Sequence, residues 1–237
     1  MRLHRFYINE KVGDQKQITL PDADLAHQLG NVFRLKTGDQ IIIFDGSGFE
    51  YVSQIQVFSR ESITLSILEA VNKLPEEYTQ KISLYLALIK KGNFELAVEK
   101  CTEIGVTEIH PVVSERSEKK DINFERLGKI VKEASEQCGR VTLPEVFHIT
   151  DLEIAVSQAV KDGKECFVFH TEAEVTKKQK DLGSKGQKLA IFIGPEGGWT
   201  DKEITLFKKY NCTFHTLGVN TLRTETAAIV AVSKLFL

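Results

Sequence analysis

The chain has 237 residues, of which 42% are hydrophobic and 27% charged, with a formal net charge of −2. That is enough to bury one large core, or a medium core beside a small one, and it excludes both an acidic disordered chain and a uniformly basic nucleic-acid coat. No apolar run approaches the roughly 20 residues of a membrane helix and no signal-peptide core opens the chain, so a soluble cytoplasmic protein is expected.

Residues 1–71 read as short strands separated by turns. The clearest are residues 40–44, 49–55 and 62–68, the last two alternating strictly between apolar and polar, with Asp45-Gly46-Ser47-Gly48 as the turn between the first two. They predict a small β-barrel or sandwich. A helical interruption is expected over residues 22–33, with Leu25, Leu29, Val32 and Phe33 on one face. The polar, proline-bearing stretch at 72–77 is the expected linker.

From residue 78 to 237 the pattern becomes strand alternating with helix. Strands are expected at 82–89, 108–113, 166–170 and 189–193, and helices at 94–104 and 123–137, the latter striped by Phe124, Leu127, Val131, Ala134 and Cys138. The short apolar runs suit strands buried on both faces of a parallel sheet, so this part is read as an α/β domain with ligand space at the carboxyl ends of its strands. Cys101, Cys138, Cys166 and Cys212 lie far apart without a CxxC pair, and the histidines show no metal spacing, so core thiols and no metal site are expected.

Two segments carry the chemistry. In Ile193-Gly194-Pro195-Glu196-Gly197-Gly198 a buried strand empties into a glycine-bearing loop, and the next helix opens on a capping box of Thr200 and Glu203. Glycines there let the backbone approach a ligand, although an ordinary strand-to-helix turn has the same spacing. Neither GxGxxG nor GxxxxGK[ST] is present, which disfavours ordinary dinucleotide and P-loop sites. The second segment, Leu217-Gly218-Val219-Asn220-Thr221-Leu222-Arg223-Thr224-Glu225-Thr226, packs polar residues against the start of an apolar helix. Taken alone, it equally suits a ligand site or a helix cap with a paired arginine.

Together the two segments resemble the RsmE family, SPOUT-superfamily methyltransferases acting on N3 of a uridine in 16S ribosomal RNA. The likeness extends through Arg5-Phe6-Tyr7, His27 with Val32-Phe33-Arg34, Glu99-Lys100-Cys101-Thr102-Glu103-Ile104-Gly105-Val106, Ser114-Glu115-Arg116, and Glu133-Ala134 with Glu136-Gln137-Cys138-Gly139-Arg140. Departures from the family pattern are Val219-Asn220 in place of a Pro-Arg pair, Asn31 where some members carry arginine, Trp199 for a smaller apolar residue, and Lys90-Lys91-Gly92-Asn93 as a loose match to Lys-Gly-Asp-Arg.

The resemblance implies a SPOUT-type domain with a trefoil knot and parallel sheet, preceded by a PUA-like RNA-binding barrel, in a homodimer. It implies S-adenosylmethionine as cofactor, held by Thr171, Ile193, Gly194, Pro195, Glu196, Gly197, Leu217, Gly218, Thr221, Leu222, Arg223 and Thr224. Arg223, Glu225 and Arg5 are the expected catalytic residues, with Glu196 and Glu225 both open as the base that takes the N3 proton. Arg5, Arg34, Lys91, Arg116 and Arg140 are the expected contacts to 16S ribosomal RNA of the small subunit. Residues 1–70 hold seven Lys or Arg against nine Asp or Glu, so RNA contact must rest on a local patch, such as Arg2, Arg5 and Arg34 with Lys90, Lys91, Arg116, Lys119 and Lys120. The alternatives are a SPOUT enzyme acting on transfer RNA or a ribose hydroxyl, and a non-catalytic ribosome assembly factor.

Overall fold

The computed structural model describes residues 3–74, 81–117, 121–171 and 186–236, and the chain divides into two units, residues 1–75 with 135–142 and residues 76–134 with 143–237. Residues 75–77 of the expected linker, and Arg2, Lys119 and Lys120 of the expected patch, lie outside the described residues.

The first unit is built on five strands, β1 (Arg5–Tyr7), β2 (Gln17–Leu20), β3 (Gln40–Phe44), β4 (Phe49–Phe58) and β5 (Ile63–Asn72), in the order β1-β3-β4-β5-β2. Only β1 against β3 is parallel. The β3–β4 turn forms because Asp45, itself buried, accepts from the N–H groups of Val12 and Ser47, while Gly46 and Gly48 take the positive φ angles the turn needs. The core of this unit gathers Phe6, Ile41, Ile43, Ile55, Ile63 and Leu65.

Between β2 and β3, helix α1 (Ala23–His27) starts on an Asp22 cap and runs straight into a π-helical turn, Gln28–Val32. Leu25 and Leu29 are buried and Phe33 packs against the same core, but Val32 is 63% exposed. The expected four-residue face is therefore corrected to three. A π turn closes over five residues rather than four, so the phase of the stripe slips and Val32 rotates outward.

The second unit is an α/β domain of seven parallel strands. In chain order they and their helices are β6 (Lys81–Ala87), α2 (Lys91–Ile104), β7 (Glu108–Val113), α3 (Phe124–Cys138), β8 (Glu145–Val146), β9 (Thr150–Asp151), α4 (Leu152–Lys161), β10 (Glu165–Phe169), β11 (Lys188–Ile193), α5 (Asp201–Lys209), β12 (Thr213–His215) and α6 (Thr224–Phe236). The sheet order is β12-β10-β11-β6-β7-β8, with β9 also on β7. Successive strand residues face opposite ways: Ile82, Leu84 and Leu86 join a core with α2, α3 and α6, whereas Tyr85 and Ala87 join one with α4 and α5. Helix α2 begins at Lys91, three residues before the expected start, with no side chain capping it. On the α3 stripe Leu127, Val131 and Ala134 are buried, while Phe124 at its start is 36% exposed.

The end of α3 belongs with the first unit. There Glu136 accepts from the Tyr7 N–H at 2.9 Å, and the carbonyls of Gly139 and Arg140 accept from Nη2 of Arg5 at 3.1 and 3.2 Å.

Candidate functional site

A cavity of about 650 Å³ opens at the carboxyl ends of β10, β11 and β12, in the size range of small-molecule sites. Both glycine-bearing segments line it: Ile193, Gly194, Pro195, Glu196 and Gly197 from the loop after β11, and Leu217, Gly218, Thr221, Leu222, Arg223 and Thr224 from the loop before α6. Thr171, just past β10, completes the expected set, and all twelve residues surround one space. Sequence reasoning missed the side chains behind these loops, Phe169, Trp199, Ile204 and Ala227, which also line the cavity. Phe169 and Ala227 belong to apolar runs, Trp199 stood out only as a departure from the family pattern, and Ile204 is one apolar residue of a helix, signals that mark core as readily as pocket wall.

Local packing fixes the first loop. Trp199 is buried, donates Nε1–H to the Phe169 carbonyl at 3.3 Å, and meets Phe207 edge-on at 5.0 Å. Its indole lies against Gly194 so closely that a Cβ there would sit 3.0 Å from the ring. Gly198 turns the chain at φ +68° and donates to the Pro195 carbonyl at 2.9 Å. Helix α5 then opens on the expected capping box, Thr200 with Glu203.

Around the cavity the backbone N–H groups of Gly194, Glu196, Gly197, Leu217 and Leu222 have no hydrogen-bond partner among the described residues. Backbone donors in native proteins are nearly always paired, so several unpaired ones in residues that line one space are a candidate cradle for a ligand with acceptors.

The charged candidates separate. Arg223 is exposed in the cavity lining and has no ion-pair partner among the described residues. Glu196 also lines the cavity and is exposed. Glu225 does not line it: the side chain is buried in the first turn of α6, and its Oε2 has no hydrogen-bond partner among the described residues. Arg116, expected on RNA, lines the cavity and donates Nη1–H to the Gly197 carbonyl at 2.6 Å. His170 lines the cavity as well.

Arg5 receives a different task from the one expected. Its side chain is 9% exposed, paired with Glu50, turned onto the carbonyls of Gly139 and Arg140, and held 5.2 Å from the Phe44 ring centre. A guanidinium so enclosed braces the first unit and presents no donor outward. Of the remaining cations, Arg34 is exposed at φ +56°, directly after the π turn, Lys91 is 59% exposed at the start of α2, and Arg140 donates to the Thr142 carbonyl at 2.7 Å. None of these three lines the cavity.

A second polar cluster lies at the opposite, amino-terminal ends of the strands. Glu108 Oε2 accepts from His110, Ser83 and Lys164, at 3.0, 2.6 and 2.5 Å. Hydrogen bonding from His110, aided by Lys164 and Ser83, holds its carboxyl well below the usual range against the opposing effect of burial. His110 is stacked between Tyr85 and Phe147, which locks the group as a structural network. Among the described residues no three acidic, histidine or cysteine side chains converge on a metal position, and no helix is long and apolar enough to cross a membrane.

Comparison with known proteins adds the family. The model described as "RNA methyltransferase domain" matches residues 76–236, and "RNA methyltransferase PUA domain" matches 20–68. The ribosomal RNA small subunit methyltransferase E of Rickettsia conorii is 31% identical, covering 99% of this chain and 95% of its own. Among solved structures, the Neisseria gonorrhoeae ribosomal RNA small subunit methyltransferase E bound to S-adenosyl methionine is 28% identical with a TM-score of 0.86, over 98% of this chain and 96% of that one. A Legionella pneumophila methyltransferase in complex with the same cofactor is 30% identical with a TM-score of 0.84, over 99% and 97%.

Proposed function

The chain belongs to the RNA methyltransferase family of the ribosomal RNA small subunit methyltransferase E type, and on that premise we propose that it transfers a methyl group from S-adenosylmethionine to N3 of one uridine in 16S ribosomal RNA. The observation that carries the reading is the convergence of both glycine-bearing segments on one cavity edged by backbone amides that have no partner among the described residues. The lining fits the cofactor: Ile193, Leu217, Leu222 and Ala227 offer apolar surface to an adenine, the amides offer donors to its edge, and Thr171 and Thr224 offer hydroxyls. Bound there, the cofactor supplies an electrophilic methyl on a sulfonium.

The rest falls to the protein. Holding donor and acceptor in line removes most of the entropic cost of a displacement. Loss of the N3 proton leaves negative charge on the uracil oxygens, and Arg223, exposed and without a counter-ion among the described residues, is placed in the proposal as the cation that stabilises it. Glu196, which shares the lining, is the proposed base. Glu225, buried outside the lining, is retained as a positioning group for the start of α6. RNA contact is assigned to exposed Arg34 and Lys91, with Arg140 at the edge of the first unit. Residues 72–77 as linker, threading of the C-terminal segment through a trefoil knot, a homodimer, the small-subunit context and a cytoplasmic setting complete the proposal.

Two measurements test it. Calorimetry should detect S-adenosylmethionine binding that Gly197→Val removes, because a side chain there would meet Arg116 Cδ at 3.1 Å and close the loop on itself. Deleting the gene should erase one N3-methyluridine from the small-subunit RNA; an unchanged modification map refutes the substrate.

A further inference from the structure

The carboxylate of Glu203 does more than a capping box requires. In such a box one side-chain oxygen returns to the cap N–H, and here Oε2 does so, accepting from the Thr200 N–H at 2.8 Å and from its hydroxyl at 3.1 Å. The other oxygen, Oε1, reaches out of the helix to accept from the N–H of Glu115 at 2.8 Å, 88 positions away in sequence. The Thr200 hydroxyl also lies 3.0 Å from Glu115 Oε2. Glu203 is 7% exposed and has no cationic partner among the described residues, so its charge is met entirely by these donors and by the start of α5.

What the distant bond fixes is a tight turn after β7. Ser117 N–H donates to the Ser114 carbonyl at 3.1 Å, and the Ser114 and Ser117 hydroxyls lie 2.9 Å apart. Arg116 springs from that turn, and its guanidinium takes the Gly197 carbonyl at 2.6 Å. Three bonds thus tie the turn after β7 to the segment that runs from the cavity loop into α5: one to buried Glu203, one from the Thr200 hydroxyl and one from exposed Arg116. Between them lie Gly197 and Gly198, beside the unpaired amides of Glu196 and Gly197. With its carbonyl drawn toward Arg116, the Gly197–Gly198 peptide has one orientation, and the loop's free donors are ordered before any ligand arrives.

We propose that Glu203 and Arg116 are positioning residues for the cofactor loop: Glu203 sets the turn that carries Arg116, and Arg116 holds the Gly197 carbonyl so that the loop's amides face the cavity. This inference rests on the cofactor reading above and reassigns Arg116 from RNA contact to cofactor site. It also accounts for a buried carboxylate in the first turn of α5 that ties the helix start to the turn after β7, a link no helix cap requires.

The test uses the full-length protein with S-adenosylmethionine in calorimetry and small-subunit ribosomal RNA in salt-dependent binding. Arg116→Ala, at an exposed position, should keep the wild-type melting temperature and weaken cofactor affinity about tenfold, the size of one charge-assisted hydrogen bond. The slope of log affinity for RNA against log salt should stay unchanged. Glu203→Gln keeps the side-chain shape but places an amide donor against either the Glu115 or the Thr200 N–H. It should reproduce the loss of cofactor affinity, and the double variant should be no worse than Glu203→Gln alone, since one residue acts through the other. A salt slope smaller by about 0.7 to 0.9 in Arg116→Ala, with cofactor affinity intact, would mean a phosphate contact and overturn the proposal. Additive losses in the double variant would reduce Glu203 to a helix cap. Absence of cofactor binding by the wild-type protein would instead remove the reading beneath.

Discussion

Replacing Gly194 by alanine puts one methyl group where the cofactor loop leaves no room. The new Cβ would lie 3.0, 3.2 and 3.3 Å from three atoms of the Trp199 indole, all on a rigid ring that is 4% exposed. That ring has little freedom to retreat, because Phe207 stands 5.0 Å behind it and its N–H is committed to the Phe169 carbonyl. Overpacking of this kind costs about 1–3 kcal/mol, and at about 2 kcal/mol a domain of this size melts about 4–8 °C lower. The loop lines the cavity, so calorimetry should show weakened S-adenosylmethionine binding beside the lowered melting temperature. Trp199→Phe shrinks the obstructing ring, and its cost should be smaller in the Gly194→Ala background than in the wild type. A variant that melts and binds as the wild type does would refute the packing argument, since it would mean that the loop yields at this position without cost.

Arg223→Ala should lower kcat about 10²-fold while changing cofactor affinity much less, which single-turnover kinetics with saturating cofactor can separate. Arg5→Met should destabilise the protein by about 3 kcal/mol in urea unfolding, because it strands a Glu50 carboxylate that among the described residues retains only Lys73 at 3.4 Å. Glu108 has its folded pKa depressed, so the stability it contributes is present above its unfolded value of about 4.3 and is lost as the pH falls through the folded one. Thermal melts from pH 6 downward should therefore show a shallower acid decline in Glu108→Gln than in the wild type.

The cavity residues were legible because their signal is local. A glycine-bearing loop after an apolar strand and a polar group before an apolar helix can each be read in ten residues, and resemblance to a family joined the two. Strands β3 and β7 were placed to the residue for the same reason, as was the Thr200–Glu203 cap. Strands β1, β2, β8, β9 and β12 have two to four residues each, too few for a period to register.

The sequence by itself determined the alternation of elements and the turn chemistry at the two loops, since these follow from side-chain periodicity and backbone freedom over a few neighbours, and its resemblance to a family named the groups that edge the cavity. Tertiary structure decided the task of each charge. Arg5, Arg116 and Arg223 are alike in sequence, yet one is enclosed by Glu50 and two carbonyls, one holds a loop, and one has no ion-pair partner among the described residues. A charged group takes its role from whatever packing brings within a few ångströms, and partners 45 or 81 positions away along the chain leave no trace in the local pattern.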